Sequence, residues 1–516
     1  MRIMIIIAPA FLSWPLAIAR RLKALDPSIE LIGVTTTTQI YEKVKAVKDI
    51  QWARLDCLEN VTRDILSAPY NPAELIHYEK MLGIDTVNNI LINDRQVGRA
   101  FISTGATPVE TELTQKTQSD ESIRAYVTGF LKFADDMCRA NNPDVAFYYA
   151  LSSGPTLALA EMIKHNGGHV FRIEHTRVDN RHLIDYSIHG QLAPVWKRYA
   201  KGEQGSPALM ADAKTWLETY RNNVIAEPDY MQYCRTMINK SYSSVGILKG
   251  ILKSAARFFL YEVVKGKKSL YTDTGWQRLK NSFILPFKYH RFYKIDKFKT
   301  LDELGDTPFI YFPLHLDPES ATMHLAPDHL NQLTVIEALA KRKPLHMNVV
   351  VKEHPVMFGH RPKEFYKRLH ELPGVHMVHP AMPSRLLIQK SAMIATITGT
   401  VAWEAILVKK PALVFGLSPF RNFPKGIVYN PDLSALGQSI QKALALEPLP
   451  DAEAIRFLSL IFDESFPMQT NDIWGNPDSD VETKFPEALN HVVEQIMRRY
   501  KEIKNDKNVM PIRAVT

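Results

Sequence analysis

The sequence has 516 residues, of which 46% are hydrophobic, and it carries a formal net charge of +8. This length and apolar content suffice for two or three folded domains and exclude a disordered chain. The three cysteines lie far apart in the sequence without a CxxC motif, so neither a disulfide framework nor a zinc finger is indicated.

The N-terminal segment MRIMIIIAPAFLSWPLAIARRL contains an apolar run that is interrupted by Pro9 and Pro15 and followed by Arg20 and Arg21. A secretory signal would instead end at a cleavage site of small residues, so we predict a strand, a loop and a helix here. No uncharged run reaches the roughly 20 residues that a membrane-spanning helix needs. These features predict a cytoplasmic protein. Peripheral attachment to the inner face of the cytoplasmic membrane is also compatible with them.

The first 200 residues alternate strand-like and helix-like segments, which is typical of parallel sheets covered by helices. Strands are predicted for RIMIIIAP, ELIGVTTTT, PDVAFYYA (143–150) and HVFRIEH (169–175), with the helix TLALAEMIKHNGG between the last two. We therefore expect an N-terminal Rossmann-like domain over residues 1–200.

The segment from about 200 to 300 breaks this alternation and is strongly basic. Residues 240–299 hold 14 Lys and Arg residues against three acidic residues, which is a local charge of +11. Its sequence SVGILKGILKSAARFFLYEVV predicts a helix with separate apolar and basic faces. The apolar face comprises Val245, Leu248, Leu252, Ala255 and Phe259, and the basic face comprises Lys249, Lys253 and Arg257.

We therefore predict a helical basic insert or linker over residues 201–300, and two interpretations of its amphipathic helix remain. Either the apolar stripe packs on the protein's own domains, or the segment 245–299 binds an anionic membrane surface. Nucleic acid is not an expected partner, because no recognised nucleic-acid-binding fold accompanies the charge.

Alternation resumes with the strand PFIYFPL (308–314) and continues to the strand PALVFG (411–416). Further strands are predicted for MNVVVKEHP, VHMVHP and MIATITGT, with helices between them. We expect a C-terminal Rossmann-like, nucleotide-sugar-binding domain over 301–450, followed by helices and a frayed tail over 451–516. The resulting α/β fold, with two Rossmann-like domains facing a cleft, would bind ligands at the carboxyl ends of its parallel strands.

The stretch ATITGTVAWEA places Thr398, Gly399 and Thr400 between a strand and a helix. Two hydroxyls and a glycine turn at a helix N-terminus suit a phosphate group. Glu404 follows one turn later, where a carboxylate can accept hydrogen bonds from the vicinal hydroxyls of a ribose. A helix with a threonine cap and a glutamate in its first turn explains the same residues without a ligand.

Two further strand ends carry polar residues. In VKEHP, His354 precedes a proline and is held in an extended or turn conformation, from which its imidazole can bind a phosphate oxygen or protonate a leaving group. Lys352 adds positive charge on the same side of that strand. In FPLHLDPES, Asp317 and Glu319 are expected to line the cleft, although an Asx turn and a helix cap are the alternative.

The segments FPLHLDPES, VKEHP and TITGTVAWEAI, with KKPALVFG after them, resemble the C-terminal half of the bacterial capsule polysaccharide synthesis family. That family includes retaining β-Kdo transferases that use CMP-Kdo. The resemblance covers residues 308–416. It implies a GT-B glycosyltransferase fold in which the His-Pro strand end and the Thr-Gly-Thr turn hold a cytidine nucleotide.

In the N-terminal half, RIEHTRVDNR (172–181) falls where the Kdo transferases of that family carry a Glu-Asp-Gly-Phe-type segment with an Arg shortly after. Glu174 and Arg177 match this pattern, whereas His175 replaces the aspartate and no Gly-Phe follows. Retaining transfer by double displacement needs a carboxylate near the anomeric carbon, together with a proton donor and acceptor. Glu174 and Asp179 are the candidates, and a surface loop with Arg–carboxylate pairs is the alternative.

No metal ion or cofactor is expected. The Asp-x-Asp sequence at 478–480 lies in a Pro/Asn/Gly-containing loop and is interpreted as a solvated turn, and the histidines of the second half form no HExxH motif. The absence of GxxxxGK[ST] and GxGxxG from the sequence argues against an ATPase and a dinucleotide enzyme.

The sequence thus predicts a glycosyltransferase of capsule or lipopolysaccharide biosynthesis that transfers a sugar to a glycan or lipid-linked acceptor, with CMP-Kdo as the donor implied by the resemblance. The alternatives are a UDP-sugar epimerase of the same fold and a non-catalytic factor of polysaccharide assembly or export. The predicted catalytic residues are Glu174, Asp179 and His354. The predicted substrate-binding residues are Arg177, Asp317, Glu319, Lys352, Thr398, Gly399, Thr400 and Glu404.

Overall fold

The computed structural model describes residues 1–106, 110–223, 236, 240–264, 269–295, 298–357, 359–468 and 480–505. The chain forms two compact units. The first unit contains Met1–Val97, Leu113–Gln204 and the described residues from Leu460 onwards, and the second contains the described residues of 98–112 and 205–459. No helix in these described ranges is long and apolar enough to cross a membrane.

Thirteen strands are described. They are β1 Arg2–Ile7, β2 Glu30–Thr35, β3 Trp52–Cys57, β4 Val145–Tyr148, β5 His169–His175, β6 Arg181–Asp185, β7 Phe309–Pro313, β8 Asn348–Lys352, β9 Val375–Val378, β10 Met393–Thr396, β11 Ala412–Val414, β12 Ile427–Tyr429 and β13 Phe466–Pro467.

The described α-helices surround these strands. Those up to residue 222 are α1 Ser13–Leu25, α2 Thr38–Ala46, α3 Leu58–Ser67, α4 Pro72–Leu82, α5 Ile84–Ile92, α6 Glu112–Lys116, α7 Asp120–Asn141, α8 Gly154–His165, α9 Ala193–Ala200 and α10 Pro207–Asn222. The remainder are α11 Ser244–Phe258, α12 Gly275–Ile295, α13 Leu301–Leu304, α14 Ser320–Met323, α15 Gln332–Arg342, α16 Lys363–Glu371, α17 Ser384–Lys390, α18 Val401–Leu407, α19 Leu436–Leu444, α20 Asp451–Glu464, α21 Val481–Lys484 and α22 Pro486–Asn505.

The sheet of the first unit has the strand order β13-β6-β5-β4-β1-β2-β3. Strands β1 to β5 are parallel, while β6 runs antiparallel to β5 and β13 antiparallel to β6. The parallel part therefore has the 3-2-1-4-5 order of a doubly wound nucleotide-binding fold. Its strand order reverses between β1 and β4.

The sheet of the second unit has the order β12-β11-β10-β7-β8-β9, and all its strands are parallel. Counted from its own first strand, this is the complete 3-2-1-4-5-6 Rossmann order. The order reverses between β7 and β10. The two Rossmann-like sheets of an α/β protein, as predicted from the sequence, are thus confirmed.

Helices cover both faces of each sheet, which explains why the strands are apolar throughout instead of alternating with polar residues. In β1 the five residues 3–7 are all buried. In the second unit, Ile310 and Phe312 of β7 share one core with Val335 and Ile336 of α15, on one face of the sheet. Tyr311 points to the opposite face, because successive strand residues alternate.

The domain boundaries differ from those expected from the sequence, because each of the two units contains segments that are distant in the chain. The C-terminal helix α22 belongs to the first unit, because its apolar residues Leu489, Val492 and Ile496 share a core with Trp14 of α1. Residues 201–300 were expected as an insert or linker. The described residues of 205–300 belong to the second unit, and residues 201–204 belong to the first. The predicted basic helix is present as α11, which continues into a π-helical turn, Phe259–Val263.

A buried carboxylate joins α22 to the rest of the first unit. Glu464, the last residue of α20, accepts a 2.6 Å hydrogen bond from Arg198 of α9 and is paired with Arg498 and Arg499 of α22. Arg499 also donates to the carbonyl oxygen of Ile184 in β6, at 3.2 Å. Burial favours a raised pKa for Glu464, but the arginines outweigh burial and lower its pKa below the ordinary value.

We expect the substitution Glu464→Gln to destabilise the first unit by about 3 kcal/mol at neutral pH, because it leaves the buried Arg499 without its main counter-charge. Since the folded pKa of Glu464 is lowered, its contribution is present above the unfolded pKa of about 4.3 and is lost as the pH falls through the folded value. Urea unfolding at several pH values should therefore show a difference between wild type and variant that shrinks on acidification.

The matched control is Glu447→Gln, which removes the same charge from an exposed ion pair with Lys425. This variant should unfold almost as the wild type does. Equal destabilisation by the two substitutions would contradict the role assigned to Glu464.

Candidate functional site

Three loops meet at the carboxyl edge of the second sheet, where its strand order reverses. The loop after β7 carries FPLHLDPES, the loop after the neighbouring β10 carries Thr-Gly-Thr, and the loop after β8 carries His354. In open α/β sheets, ligands bind at this position because the loops on either side of the reversal diverge. The predicted site residues of the second half of the sequence therefore lie on adjacent strand ends.

A fully buried arginine joins the loops after β7 and β8. Arg361 donates from Nε to Glu353 Oε2 at 2.8 Å, and its two terminal nitrogens donate to the carbonyl oxygens of Thr104 at 2.9 Å and His315 at 2.6 Å. Tyr366 donates a further 2.8 Å hydrogen bond to the same Glu353 oxygen. Burial favours a lowered pKa for Arg361, but the Glu353 carboxylate outweighs it and keeps the pKa above its ordinary value.

Glu353 also fixes the backbone that carries the candidate histidine, because its Oε1 accepts a 2.7 Å hydrogen bond from the amide of His354. The short 3-10 helix Pro355–Met357 follows, and the amide of Val356 donates to His354 Nδ1 at 3.3 Å. With Nδ1 as acceptor, the neutral ring carries its proton on Nε2.

The electrostatic surroundings keep this histidine neutral. Burial, together with the charges of Arg361 and Lys352, lowers the pKa of His354 to about 4. At neutral pH its Nε2 is then a hydrogen-bond donor without a formal charge. Such a group suits a phosphate oxygen better than it suits proton delivery to a leaving group, since a general acid should have a pKa near the working pH.

His315 stabilises the Thr-Gly-Thr turn through hydrogen-bond contacts. Its Nε2 lies 3.3 Å from Thr396 Oγ1 and accepts a 3.4 Å hydrogen bond from the amide of Thr398. Burial, with the charges of neighbouring groups, lowers the pKa of His315 to about 3, so the ring is neutral and can act as this acceptor. The Thr398 hydroxyl donates to the carbonyl of Ala321 at 2.9 Å, which ties the β10 loop to the β7 loop.

The glycine of the turn is required by space. Gly399 does not have a positive φ, but a Cβ atom there would lie only 2.5 Å from Thr396 Oγ1. That hydroxyl accepts a 3.2 Å hydrogen bond from the Gly399 amide. The sharp turn expected from the sequence is therefore a close approach of the backbone to a buried threonine.

Glu404 is half-buried and lies near two buried cations, Lys352 and Arg385. Its Oε1 accepts a 3.3 Å hydrogen bond from the hydroxyl of Thr400. Burial raises the pKa of Glu404, while the charge of Arg385, the Thr400 hydrogen bond and the charge of Lys352 act in the opposite direction. The carboxylate therefore lies within electrostatic reach of both cations.

The two cations are held by neighbouring elements. Lys352, the last residue of β8, donates to Ser384 Oγ at 2.8 Å, and the guanidinium carbon of Arg385 lies 3.5 Å from the ring centre of Tyr220. Arg385 also donates to the backbone oxygen of Tyr220. Its Nε is buried without a hydrogen-bond partner among the described residues.

Asp317 and Glu319, the predicted residues of the loop after β7, lie in different environments. Asp317 is buried, with Oδ2 3.9 Å from Arg361, and burial raises its pKa. Glu319 occupies the N-cap position of α14 without a capping side-chain hydrogen bond, so the cap interpretation does not hold for its side chain. Asp317 therefore belongs to the interior that supports the loop.

The candidates for the reacting sugar lie in the first unit, at the end of β5. Glu174 is buried, with Oε2 2.9 Å from Arg172 and Oε1 3.8 Å from Arg177. Gly190 has a φ of 62°, and a Cβ atom there would lie 2.5 Å from Glu174 Oε2. Asp179 is exposed on the turn between β5 and β6, and both Arg177 and Asp179 have positive φ values.

The sequence did not identify four residues that shape the candidate site of the second unit. They are His315, Glu353, Arg361 and Arg385. Glu353 lies inside the VKEHP motif, and its position beside a candidate histidine was an available signal. Nothing local distinguishes Arg361 or Arg385 from surface arginines, because their importance comes from burial.

Within the ranges that the structure describes, no group of three or more His, Cys, Asp or Glu side chains is placed to hold a metal ion. Asp480 caps α21 by accepting hydrogen bonds from the amide and hydroxyl of Thr483. Asp478 of the same Asp-x-Asp sequence lies outside the described residues.

The sequence matches a family model over part of its length. Residues 286–436 match the model described as "Capsule polysaccharide biosynthesis protein". This match confirms the family that the β7, β8 and β10 segments predict. No curated protein sequence matches the chain.

Solved structures with weak similarity include two groups of enzymes. The Thermosulfurimonas dismutans KpsC β-Kdo 2,4-transferase is 11% identical, with 62% of this chain and 80% of that chain covered and a TM-score of 0.34. The Staphylococcus aureus MnaA–UDP co-structure is 12% identical, with 98% and 97% covered and a TM-score of 0.27. The UDP-GlcNAc 2-epimerase of Neisseria meningitidis bound to UDP-GlcNAc is 13% identical, with 90% and 99% covered and a TM-score of 0.23. The family assignment depends on the sequence match.

We expect Arg361→Gln to destabilise the second unit by about 3–5 kcal/mol, because it leaves the Glu353 carboxylate buried without its partner. The same change should raise the pKa of His354, since one of the charges that lower it is removed. Urea unfolding measures the first effect, and NMR titration of labelled histidines, with His354→Gln for assignment, measures the second.

Arg368→Gln is the matched control, because it removes an arginine from an exposed ion pair with Glu337. We expect this variant to leave both the stability and the pKa of His354 nearly unchanged. An Arg361→Gln protein with wild-type stability would contradict the anchoring role of Arg361.

Proposed function

We propose that this protein, whose residues 286–436 belong to the capsule polysaccharide biosynthesis family, is a glycosyltransferase that uses a nucleotide-activated sugar in capsule or lipopolysaccharide assembly. The observation that carries the proposal is the meeting of the β7, β8 and β10 loops at the strand-order reversal of a Rossmann sheet. This is where such sheets bind nucleotides.

The phosphate groups of the donor are assigned to the cationic side of this site. Lys352 supplies an ammonium group, and the neutral His354 supplies its Nε2 proton. Arg385 adds a guanidinium whose Nε is buried and has no described partner. Charge-assisted hydrogen bonds of this kind are the strong ones in anion recognition.

The Thr-Gly-Thr turn and Glu404 are assigned to the nucleoside side. The Thr398 hydroxyl and the Gly399 amide donate within the unit, so these two residues shape the turn that receives the donor. Glu404 is the ribose ligand in this proposal, because a carboxylate can accept from two vicinal hydroxyls. Thr400, which donates to Glu404, orients that carboxylate.

CMP-Kdo is the first donor to test, because the family resemblance implies it. Charge alone does not decide the base, since CMP-Kdo and a UDP-sugar each carry two negative charges. Glu174 and Asp179 are proposed for the reacting sugar, with Arg177 as its neighbouring cation, and the acceptor is a glycan or a lipid-linked glycan. No metal is required in this proposal.

We expect CMP or CMP-Kdo to raise the melting temperature, and His354→Ala to weaken that binding by about 10- to 150-fold, the loss typical for a hydrogen bond to a charged group. Thermal shift and calorimetric titration with CMP-, UDP- and GDP-sugars measure these effects. If no nucleotide sugar shifts the melting temperature, the transferase proposal fails.

His379→Ala is the matched control for this test. His379 also precedes a proline at a strand end, and its Nδ1 also accepts from an amide two residues later, at 3.1 Å. It follows the edge strand β9, two positions away from β7, so its loss should leave donor binding unchanged. Epimerisation of a UDP-sugar without any acceptor would favour the epimerase alternative instead.

Glu404→Ala separates ribose binding from phosphate binding. If Glu404 binds the ribose, the variant should bind CMP about 10- to 150-fold more weakly and lose the preference for CMP over 2′,3′-dideoxy-CMP. Binding of pyrophosphate should persist, because Lys352 and Arg385 remain. A variant that discriminates between the two nucleotides as the wild type does would contradict this role.

A further inference from the structure

The described exposed apolar side chains concentrate on one helical hairpin of the second unit, formed by α11, the π-helical turn and α12. Ten of the 17 large hydrophobic residues that are exposed in the described ranges belong to it. They are Val245, Leu248, Leu252, Phe259, Leu260, Val263, Val264, Trp276, Phe283 and Phe287. Monomeric soluble proteins rarely leave such large contiguous groups in water without a partner.

The helical periodicity of α11 shows that this exposure is a property of its outer face. Leu248 and Leu252 are exposed, the latter to 61%, whereas Ile251 and Ser254 on the other side of the helix are half-buried or buried. The apolar stripe predicted from the sequence is therefore the stripe that the second unit leaves uncovered. Packing on the described part of the protein's own domains does not explain it.

The same hairpin presents positive charge without opposing exposed acids. Lys249 and Lys253 are exposed on α11, and Lys280 and Lys288 are exposed on α12. The two acidic residues among the described residues of 244–290 already have partners within this segment. Glu262 accepts from the amide of Gly275 at 2.9 Å, and Asp273 forms a 3.3 Å ion pair with Arg278.

On α12 the exposed aromatic and basic residues share a helical face. Trp276, Lys280, Phe283 and Phe287 are spaced by four, three and four residues, so they form one stripe along the helix. Trp276 is 64% exposed and Phe287 66% exposed. Aromatic rings between lysines are typical of segments that lie in the headgroup layer of a bilayer.

The hairpin is attached to the second unit through its base. The rings of Tyr242 and Tyr289 stack at 4.1 Å, and the Tyr242 hydroxyl lies 3.1 Å from His360 Nε2. Gly359, next to His360, could not carry a Cβ without approaching the Tyr289 amide to 3.1 Å. The exposed surface of the hairpin is thus held on a folded support.

We propose that this hairpin surface docks the protein on an anionic phospholipid bilayer. Its apolar residues enter the headgroup and upper acyl region, and its lysines bind the phosphates and anionic headgroups around them. Charge complementarity selects an anionic bilayer over a neutral one. The proposal is independent of the donor and of the reaction.

The test is flotation of the full-length protein with vesicles of phosphatidylcholine alone or with one third phosphatidylglycerol. We expect binding to the anionic vesicles, weakened by high salt, and at least about 20-fold weaker for Lys249→Glu/Lys253→Glu, since each lysine near the surface contributes about fivefold. Leu248→Gln/Leu252→Gln should also weaken binding at low salt, because both leucines are exposed and glutamine preserves the helix.

Lys214→Glu/Lys442→Glu is the matched control, because it reverses two exposed lysines on other helices of the second unit, α10 and α19. This variant should float as the wild type does. Brominated lipid should quench the fluorescence of the exposed Trp276, and Trp276→Phe should remove that quenching.

Three results would overturn the proposal. Equal binding to neutral and anionic vesicles would remove the role of charge, and equal flotation of the hairpin and control variants would place the contact elsewhere. Concentration-dependent dimerisation that is abolished by Leu248→Gln/Leu252→Gln, without vesicle binding, would assign the surface to a second copy of this chain. Donor binding, measured separately, is expected to be the same in all these variants.

Discussion

A buried guanidinium needs hydrogen-bond acceptors around its nitrogens, and this requirement organises the second unit. Arg361 meets it with one carboxylate and two backbone carbonyls, which come from the loop after β8, the loop after β7 and the segment around Thr104. An uncompensated charge in this interior would cost several kcal/mol, so the three segments can adopt only positions that satisfy it. The hydrogen bonds of Arg361 therefore determine where the loops of the candidate site after β7 and β8 lie.

The electrostatic character of the site follows from the same group. Arg361 and Lys352 act with burial to keep His354 neutral, so the proposed function uses it as an uncharged hydrogen-bond donor. Positive charge then comes from Lys352 and Arg385, and Glu404 is the carboxylate beside them. Two cations beside a carboxylate are the basis of the proposal that this site binds a nucleotide, whose phosphates and ribose hydroxyls have opposite requirements.

Amphipathic periodicity has different consequences in the helices α22 and α11. The apolar residues of α22 are covered by the first unit and contribute to its core, whereas Leu248 and Leu252 of α11 are left in water by the second. Amphipathic periodicity predicts that a face will be covered, but it does not identify what covers it. For α11 the surrounding lysines are the basis of the proposal that an anionic bilayer covers this face.

Strand periodicity, strand–helix alternation and the residues at strand ends were sufficient to predict both Rossmann-like sheets and the strand ends on which His354, Thr398 and Thr400 lie, because these are local properties. The roles of Arg361, His315 and the Thr398 hydroxyl could not be predicted in this way. Each depends on partners distant in the chain, such as Thr104 for Arg361, and only folding determines which polar groups are buried together. Burial then decides which arginine anchors loops, which histidine stays neutral and which apolar face remains exposed.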